Sequence, residues 1–175
     1  MIREIQENDP ALSDAIQNVF GLLFPAQPLR VFILEMDAAG IDQCVLLPID
    51  CSSAFSCKIP SNEVVAQLVK KNKRFLGFAS VDPNSKTACQ DLEFAIKELG
   101  LKGLKLDTAL QHFSLLDENK IDSIFQLCSS LKVPVLIHCG LSWAPHGLSK
   151  LAHPGDLEET IQKHPNTNIV IAHLG

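Results

Sequence analysis

Short apolar runs alternate with amphipathic segments along most of this chain, and that alternation limits the folds open to it. The apolar runs that predict strands are residues 44–49, 74–83, 102–107, 133–140 and 168–174. The segments that predict helices are residues 28–40, 61–72, 87–100, 117–131 and 156–164. Parallel neighbouring strands need a crossover element, and strands covered on both faces form nearly continuous apolar runs. The sequence therefore predicts an α/β fold with a parallel sheet.

Helix boundaries are marked by residues that commonly occur at helix ends. Ser61 is placed to cap the helix over 61–72, and Thr87 with Gln90 has the spacing of a capping box. Gly100 suits the end of the second of these helices. Residues 1–27 lack a clear pattern, so we expect an irregular or partly helical N-terminal segment with a helical turn or two within residues 9–20.

Two parallel architectures fit the pattern, an open doubly wound sheet and a (β/α) barrel. An open sheet often carries a Gly-rich phosphate-binding turn, and neither GxGxxG nor GxxxxGK[ST] occurs in the 175 residues. Barrels place their chemistry at the carboxyl ends of the strands, where two of the predicted strands carry histidines. A complete barrel has eight strands in about 250 residues. The five predicted strands therefore indicate a partial TIM-type barrel, with residues 1–175 forming a single incomplete domain.

Composition excludes several classes of protein. The chain has 46% hydrophobic residues and a formal charge of -5, which argues against disorder and against a nucleic-acid partner. The basic run at 70–74 falls at a predicted helix end, where cations are favoured. No apolar run reaches the roughly 20 residues of a membrane span, and the N-terminus has no signal-peptide core. We expect a cytoplasmic protein with no membrane partner, whose six cysteines form no CxxC pair and remain free thiols.

Histidines follow the apolar runs of two successive predicted strands. His138 follows "VPVLI" and His173 follows "NIVIA". Consecutive strands are usually neighbours, which would place the two backbones roughly 5 Å apart. Two such imidazoles can share one divalent cation, or one can bind metal while the other transfers a proton.

Three further residues could contact a substrate. Trp143 and His146 lie in the loop that follows His138, on the expected side of a barrel site, although both would also suit an exposed loop. Lys105 lies in the middle of a predicted strand, where it either contributes a charge to the barrel interior or extends outward between helices.

Five segments resemble, in order, those of the amidohydrolase-related metal-dependent hydrolases, a group similar to the aminocarboxymuconate-semialdehyde decarboxylases. The segments are "MDAAGIDQCVLLPI", "FLGFASVDP", "ELGLKGLKLD", "VPVLIHCG" and "NIVIAHLG". The resemblance implies a TIM-type barrel of which this chain holds about strands 2 to 6 of 8. It also implies a divalent metal, often zinc, with His138 at the fifth-strand ligand position and His173 at the sixth-strand position. The family's first-strand HxH and eighth-strand aspartate are absent, which implies truncation at both ends.

These observations lead to one functional hypothesis and two alternatives. The hypothesis is a metal-dependent hydrolase that uses zinc or manganese, with His138 as metal ligand and His173 as catalytic residue. Trp143, His146 and Lys105 would contact a small-molecule substrate. The first alternative is nonoxidative decarboxylation of an aromatic or muconate-like acid, and the second is a catalytically inactive barrel fragment or binding module. Assembly into a homo-oligomer is left open.

Overall fold

The predicted α/β organisation with parallel strands is confirmed in the computed structural model, which describes Arg3, residues 11–21 and residues 27–173. The helices of this part of the chain are α1 (Leu12–Phe20), α2 (Leu29–Ala38), α3 (Ser52–Phe55), α4 (Asn62–Lys71), α5 (Ala88–Lys97), α6 (Thr108–Gln111), α7 (Glu118–Leu131) and α8 (Pro154–Lys163). The strands are β1 (Cys44–Leu46), β2 (Ile49–Cys51), β3 (Cys57–Ile59), β4 (Phe75–Gly77), β5 (Leu104–Leu106), β6 (Val135–His138) and β7 (Ile169–Ala172). None of these helices is both long and apolar enough to span a bilayer.

Five of the strands run parallel, as the alternating pattern predicts. β1 pairs with β4, and β5, β6 and β7 form a three-stranded sheet in that order. A parallel bridge between Ala79 and Leu104 connects β4 to β5, supported by a hydrogen bond from the Lys105 amide to the Ala79 carbonyl at 2.7 Å. The carboxyl ends of the parallel strands therefore meet at one edge of the sheet, where barrel enzymes place their sites.

The sequence did not predict the antiparallel hairpin that lies between β1 and β4 along the chain. β2 and β3 pair antiparallel, with the short helix α3 between them. The predicted strand over 44–49 is wrong in its second half, because β1 ends at Leu46 and Ile49 belongs to β2. Pro48 explains the break, since it has no amide hydrogen to donate to a strand ladder.

The predicted helix caps have mixed outcomes. Ser61 is confirmed as the N-cap of α4, because its hydroxyl accepts a hydrogen bond from the Val64 amide at 3.4 Å. The predicted capping box at Thr87 is wrong: its side chain makes no cap hydrogen bond and donates instead to Asp91 Oδ2 at 2.8 Å. α8 begins earlier than predicted, since the His153 ring accepts from the Gly155 amide and so caps a helix that starts at Pro154.

The N-terminal segment contributes a packed helix. α1 buries Leu12, Ile16 and Val19 in an apolar cluster that also contains Ile59 and Phe75. The rest of the predicted irregular segment at residues 1–2, 4–10 and 22–26 lies outside the described residues, as does Leu174 at the end of the predicted last strand. The packing of its apolar face against Ile59 and Phe75 holds α1 against the strands.

Candidate metal and substrate site

Two histidine side chains meet where β6 and β7 end. The ring centroids of His138 and His173 lie 5.0 Å apart with an angle of 61° between the ring planes. In the parallel register His138 pairs with Ala172, so a regular strand would turn the next side chain to the opposite face. His173 instead has a φ of +64°, an uncommon conformation for a residue other than glycine. This left-handed turn explains how His173 reaches the side of the sheet that carries His138.

His138 has one ring nitrogen without a hydrogen-bond partner in the described part of the chain. The side chain is buried, and its Nε2 atom makes no hydrogen bond there. Its Nδ1 atom lies 3.9 Å from Asp107 Oδ2. Burial lowers the pKa of His138; the nearby Asp107 carboxylate opposes this shift, while Lys105 and His173 add to it. The neutral imidazole is therefore favoured, and this is the form that binds metals.

A buried ion pair lies beside the histidines. Lys105 and Asp107 are only 6% and 5% exposed, and Lys105 Nζ lies 3.8 Å from Asp107 Oδ2. The ammonium also donates to the Leu106 carbonyl at 2.8 Å, and Asp107 Oδ1 caps α6 by accepting from the Leu110 amide at 3.0 Å. Burial lowers the pKa of Lys105, and Asp107 opposes that shift. Lys105 thus faces the interior at the strand ends and does not extend outward between the helices.

These four side chains line a pocket of about 500 Å³. Its remaining walls are largely apolar and are formed by Phe20, Leu47, Ile49, Leu110, Leu141, Ser142, Trp143 and Ala144. The indole of Trp143 is 63% exposed and stacks on Phe20 with ring centroids 5.2 Å apart. The pocket therefore combines a charged and imidazole-bearing part with a flat aromatic wall.

His146 does not lie among the residues that line this pocket. It is exposed, its ring lies 6.2 Å from that of Phe55, and its backbone carbonyl is 3.1 Å from His112 Nε2. The loop after β6 thus brings Trp143 to the site and directs His146 elsewhere. Its predicted contact with substrate would require the loop to rearrange.

Sequence reasoning missed two members of the site. Asp107 has no site signal of its own in the sequence, although its position two residues after Lys105 places both side chains on one face. Phe20 comes from the N-terminal segment, and no local pattern shows which loop its helix will contact. The parallel order of β5 and β6 brings Asp107 to His138, and the packing of α1 brings Phe20 to Trp143.

The residues fit a divalent cation as a partial set of ligands. His138 offers a buried nitrogen without a partner, and His173 offers a second imidazole beside it. Within residues 11–21 and 27–173, no group of three histidine, cysteine, aspartate or glutamate side chains is arranged to hold a metal. Catalytic zinc sites commonly use three protein ligands. The described part of the chain therefore does not by itself provide the three protein ligands of such a site.

Comparison with known proteins agrees with the fold. The family model described as amidohydrolase matches residues 52–175, and the chain belongs to that family. Among curated proteins, no sequence matches this chain.

Three solved structures are similar in fold to this chain. An uncharacterised TIM-barrel protein from Bordetella bronchiseptica has a TM-score of 0.68 and 20% identity, covering 96% of this chain and 60% of its own. The 5-carboxyvanillate decarboxylase from Novosphingobium aromaticivorans, complexed with manganese and 4-hydroxy-3-methoxy-5-nitrobenzoic acid, has a TM-score of 0.59 and 25% identity, with coverages of 91% and 52%. The 4-oxalomesaconate hydratase from Rhodopseudomonas palustris has a TM-score of 0.60 and 21% identity, with coverages of 98% and 57%. The chain thus spans between about half and three-fifths of the length of these proteins.

Proposed function

We propose that this chain carries part of the active site of a metal-dependent hydrolase that acts on a small molecule. The observation that carries the proposal is the buried Nε2 atom of His138, which lacks a hydrogen-bond partner among the described residues and lies beside His173. A buried polar atom without a partner is costly, and a bound ligand would remove that cost. Its position at the carboxyl end of a parallel strand is where barrel enzymes bind substrates.

His138 is the residue that would hold the cation, and His173 lies beside it. A divalent cation, zinc or manganese, would supply Lewis-acid polarisation of a water or of a substrate oxygen. His138 suits this role because burial favours its neutral form. His173 is more exposed than His138, and as the catalytic residue it would accept or deliver a proton at the reacting group.

The remaining pocket residues would bind and orient the substrate. Lys105 brings a buried positive charge that can attract an anionic group, and Asp107 limits how far its ammonium can move. Trp143 offers a flat apolar surface at the exposed side of the pocket. His146 would contribute only if the loop that carries it moved toward the pocket.

Nonoxidative decarboxylation is the second candidate. It is favoured by the buried ammonium of Lys105 in a pocket that is also lined by Phe20 and Trp143. A positive charge beside aromatic rings suits an aromatic carboxylate. The similar decarboxylase that binds manganese acts on a compound of this kind, as its name states. The same two histidines and Lys105 would serve this reaction.

Product analysis separates the two reactions. The purified protein, loaded with zinc or manganese, is offered an aryl ester, a lactone, an aryl amide and carboxyl-labelled ¹³C-hydroxybenzoates. Incorporation of ¹⁸O from labelled water indicates hydrolysis, and release of ¹³CO₂ indicates decarboxylation.

Substitution of His138 tests whether the proposed site is responsible. His138→Gln should lower turnover by more than about 100-fold, the upper end of the range for residues that support metal ligands. His153→Asn is the matched control, because asparagine also serves as a helix N-cap. Equal turnover in His138→Gln and the control would overturn the proposal, and absence of turnover on every compound would favour a binding module.

A further inference from the structure

The carboxyl end of α1 contacts the loop after β6 through two consecutive residues. The Phe20 ring stacks on Trp143 with an interplanar angle of 26°. Gly21, the next residue, has a φ of +69°, and a Cβ atom at this position would lie 3.0 Å from Pro145 Cγ. The helix end and the loop therefore pack closely at two points.

Phe20 is held on a well-anchored element. Val19 is fully buried, and Leu12 and Ile16 are buried on the same side of α1. The Gly21 amide closes the helix with a hydrogen bond to the Gln17 carbonyl at 2.8 Å. A ring fixed in this way can restrict the orientation of the tryptophan that it contacts.

Trp143 retains a large accessible surface although it stacks on Phe20. Its exposed fraction is 63%, so Phe20 covers only part of the indole. Both rings line the pocket that contains Lys105, His138 and His173. Aromatic rings prefer offset stacked or edge-to-face partners, so the uncovered indole surface suits a second flat ring.

We propose that Phe20 is a positioning residue that holds the indole of Trp143 at the pocket so that it selects substrates with a planar ring. This inference deepens the proposed function and rests on the pocket being a small-molecule site. Lys105 adds a preference for an anionic group on that ring. Phe20 acts through Trp143 and does not itself take part in the reaction.

Two acids of equal charge and carbon number form the test. Benzoate has a planar ring and cyclohexanecarboxylate does not, so their ratio of dissociation constants measures selection for planarity. Trp143 is the sole tryptophan, and its fluorescence, excited at 295 nm, reports binding at the site itself. The wild-type protein should bind benzoate roughly two- to tenfold more tightly, the range expected for one aromatic pair.

Variants of Phe20 should change this ratio in a specific way. Phe20→Leu and Phe20→Met remove the planar contact while keeping an apolar side chain, so the ratio should fall close to one and acrylamide should quench Trp143 more strongly. Phe20→Tyr should retain the wild-type ratio. Phe94→Leu is the control, since Phe94 is an exposed residue of α5.

The result that overturns the inference is a wild-type ratio in both Phe20→Leu and Phe20→Met, or no preference for benzoate in the wild-type protein. Circular dichroism of each variant separates loss of selectivity from loss of fold. The inference can fail while the proposed function holds, because His138→Gln should abolish turnover and leave the preference for the planar acid in place. Conversely, selectivity that depends on Phe20 in a protein without turnover would support the inference alone.

Discussion

Replacing Asp107 by asparagine should destabilise the protein by leaving the Lys105 ammonium buried without its carboxylate. The two groups lie 3.8 Å apart, and both side chains are buried. Asparagine is as good an N-cap residue as aspartate, so the hydrogen bond from the Leu110 amide to the side chain of residue 107 should persist. The substitution therefore removes charge with little change in shape.

The expected loss follows from the separation and burial of the pair. At an effective dielectric constant of about 20, two unit charges at this distance attract by about 4 kcal/mol, an amount that desolvation of both groups opposes. Removing one partner of a buried pair typically costs about 3–5 kcal/mol. Because Lys105 keeps its hydrogen bond to the Leu106 carbonyl, we expect the lower end, about 3 kcal/mol in Asp107→Asn.

A double-mutant cycle isolates the interaction between the two charges. Lys105→Met alone should also cost about 3 kcal/mol, because it leaves the Asp107 carboxylate buried without its partner. The double variant should cost about 4 kcal/mol, less than the sum of the single changes. The coupling free energy is then about 2 kcal/mol. Lys97→Met is the control: its partner Glu93 is exposed, and such a pair contributes about 0–1 kcal/mol.

The loss in Asp107→Asn should also depend on pH. Burial lowers the pKa of Lys105 in the folded protein, and removal of the opposing carboxylate should lower it further. Between the pKa of Lys105 in the folded variant and its value of about 10.4 in the unfolded chain, the unfolded chain binds more protons than the folded protein. The stability of the variant therefore rises with pH in this interval. The full loss of stability in Asp107→Asn is present below the pKa of Lys105 in the folded variant. The loss decreases as pH rises toward about 10.

Urea unfolding at pH 7 and at pH 9.5, followed by Trp143 fluorescence and circular dichroism, measures both effects. The account requires a smaller deficit for Asp107→Asn at the higher pH. A deficit below about 0.5 kcal/mol at pH 7, which is the size of an ordinary surface substitution, would refute the reasoning. So would a deficit that grows with pH.

Three further predictions concern the fold. Gly77→Ala should cost about 1–3 kcal/mol in a thermal melt, because the new Cβ would lie 2.6 Å from Leu101 Cδ2 and 2.8 Å from Val65 Cγ1; an unchanged melting temperature would contradict this packing. Ser61→Ala should cost about 1 kcal/mol in urea unfolding, and Thr87→Ala less, since only Ser61 caps its helix; the reverse order would show that the caps are misassigned. Burial raises the pKa of the Cys128 thiol to about 12, so at pH 8 this thiol should react with a disulfide reagent only after the protein unfolds. Peptide mass mapping identifies the labelled cysteine, and rapid labelling of Cys128 in the native protein would contradict its burial.

The parallel strands could be predicted because their local sequence agrees with their final environment. β5 and β6 are short, largely apolar segments, as "LKGLKL" and "VPVLIH" indicate, and all of their residues except the half-buried Leu136 are buried. The hairpin of β2 and β3 could not be predicted from the sequence, because residues 50–58 are rich in serine and cysteine and show no alternation of apolar and polar positions. Its strands are defined by tertiary contacts, including the hydrogen bond from the Asp50 amide to Ser80 Oγ at 3.0 Å.

The candidate site could be predicted in outline and not in detail. His138 and His173 were expected at neighbouring strand ends because consecutive parallel strands are usually adjacent. The left-handed conformation of His173 has no sequence signal, since positive φ is usually marked by glycine or asparagine. Asp107 and Phe20 join the site only through the packing of separate elements, which no single segment encodes.

The most direct test of the account is a Mn²⁺ titration followed by NMR of the histidine side chains. The chain has six histidines, and paramagnetic broadening reports which of them lie near the metal even when binding is weak. The account predicts that the signals of His138 and His173 broaden first, and that this selectivity is lost in His138→Gln and kept in His153→Asn. Earlier broadening of other histidines, or uniform broadening of all six, would contradict a metal site at the ends of β6 and β7.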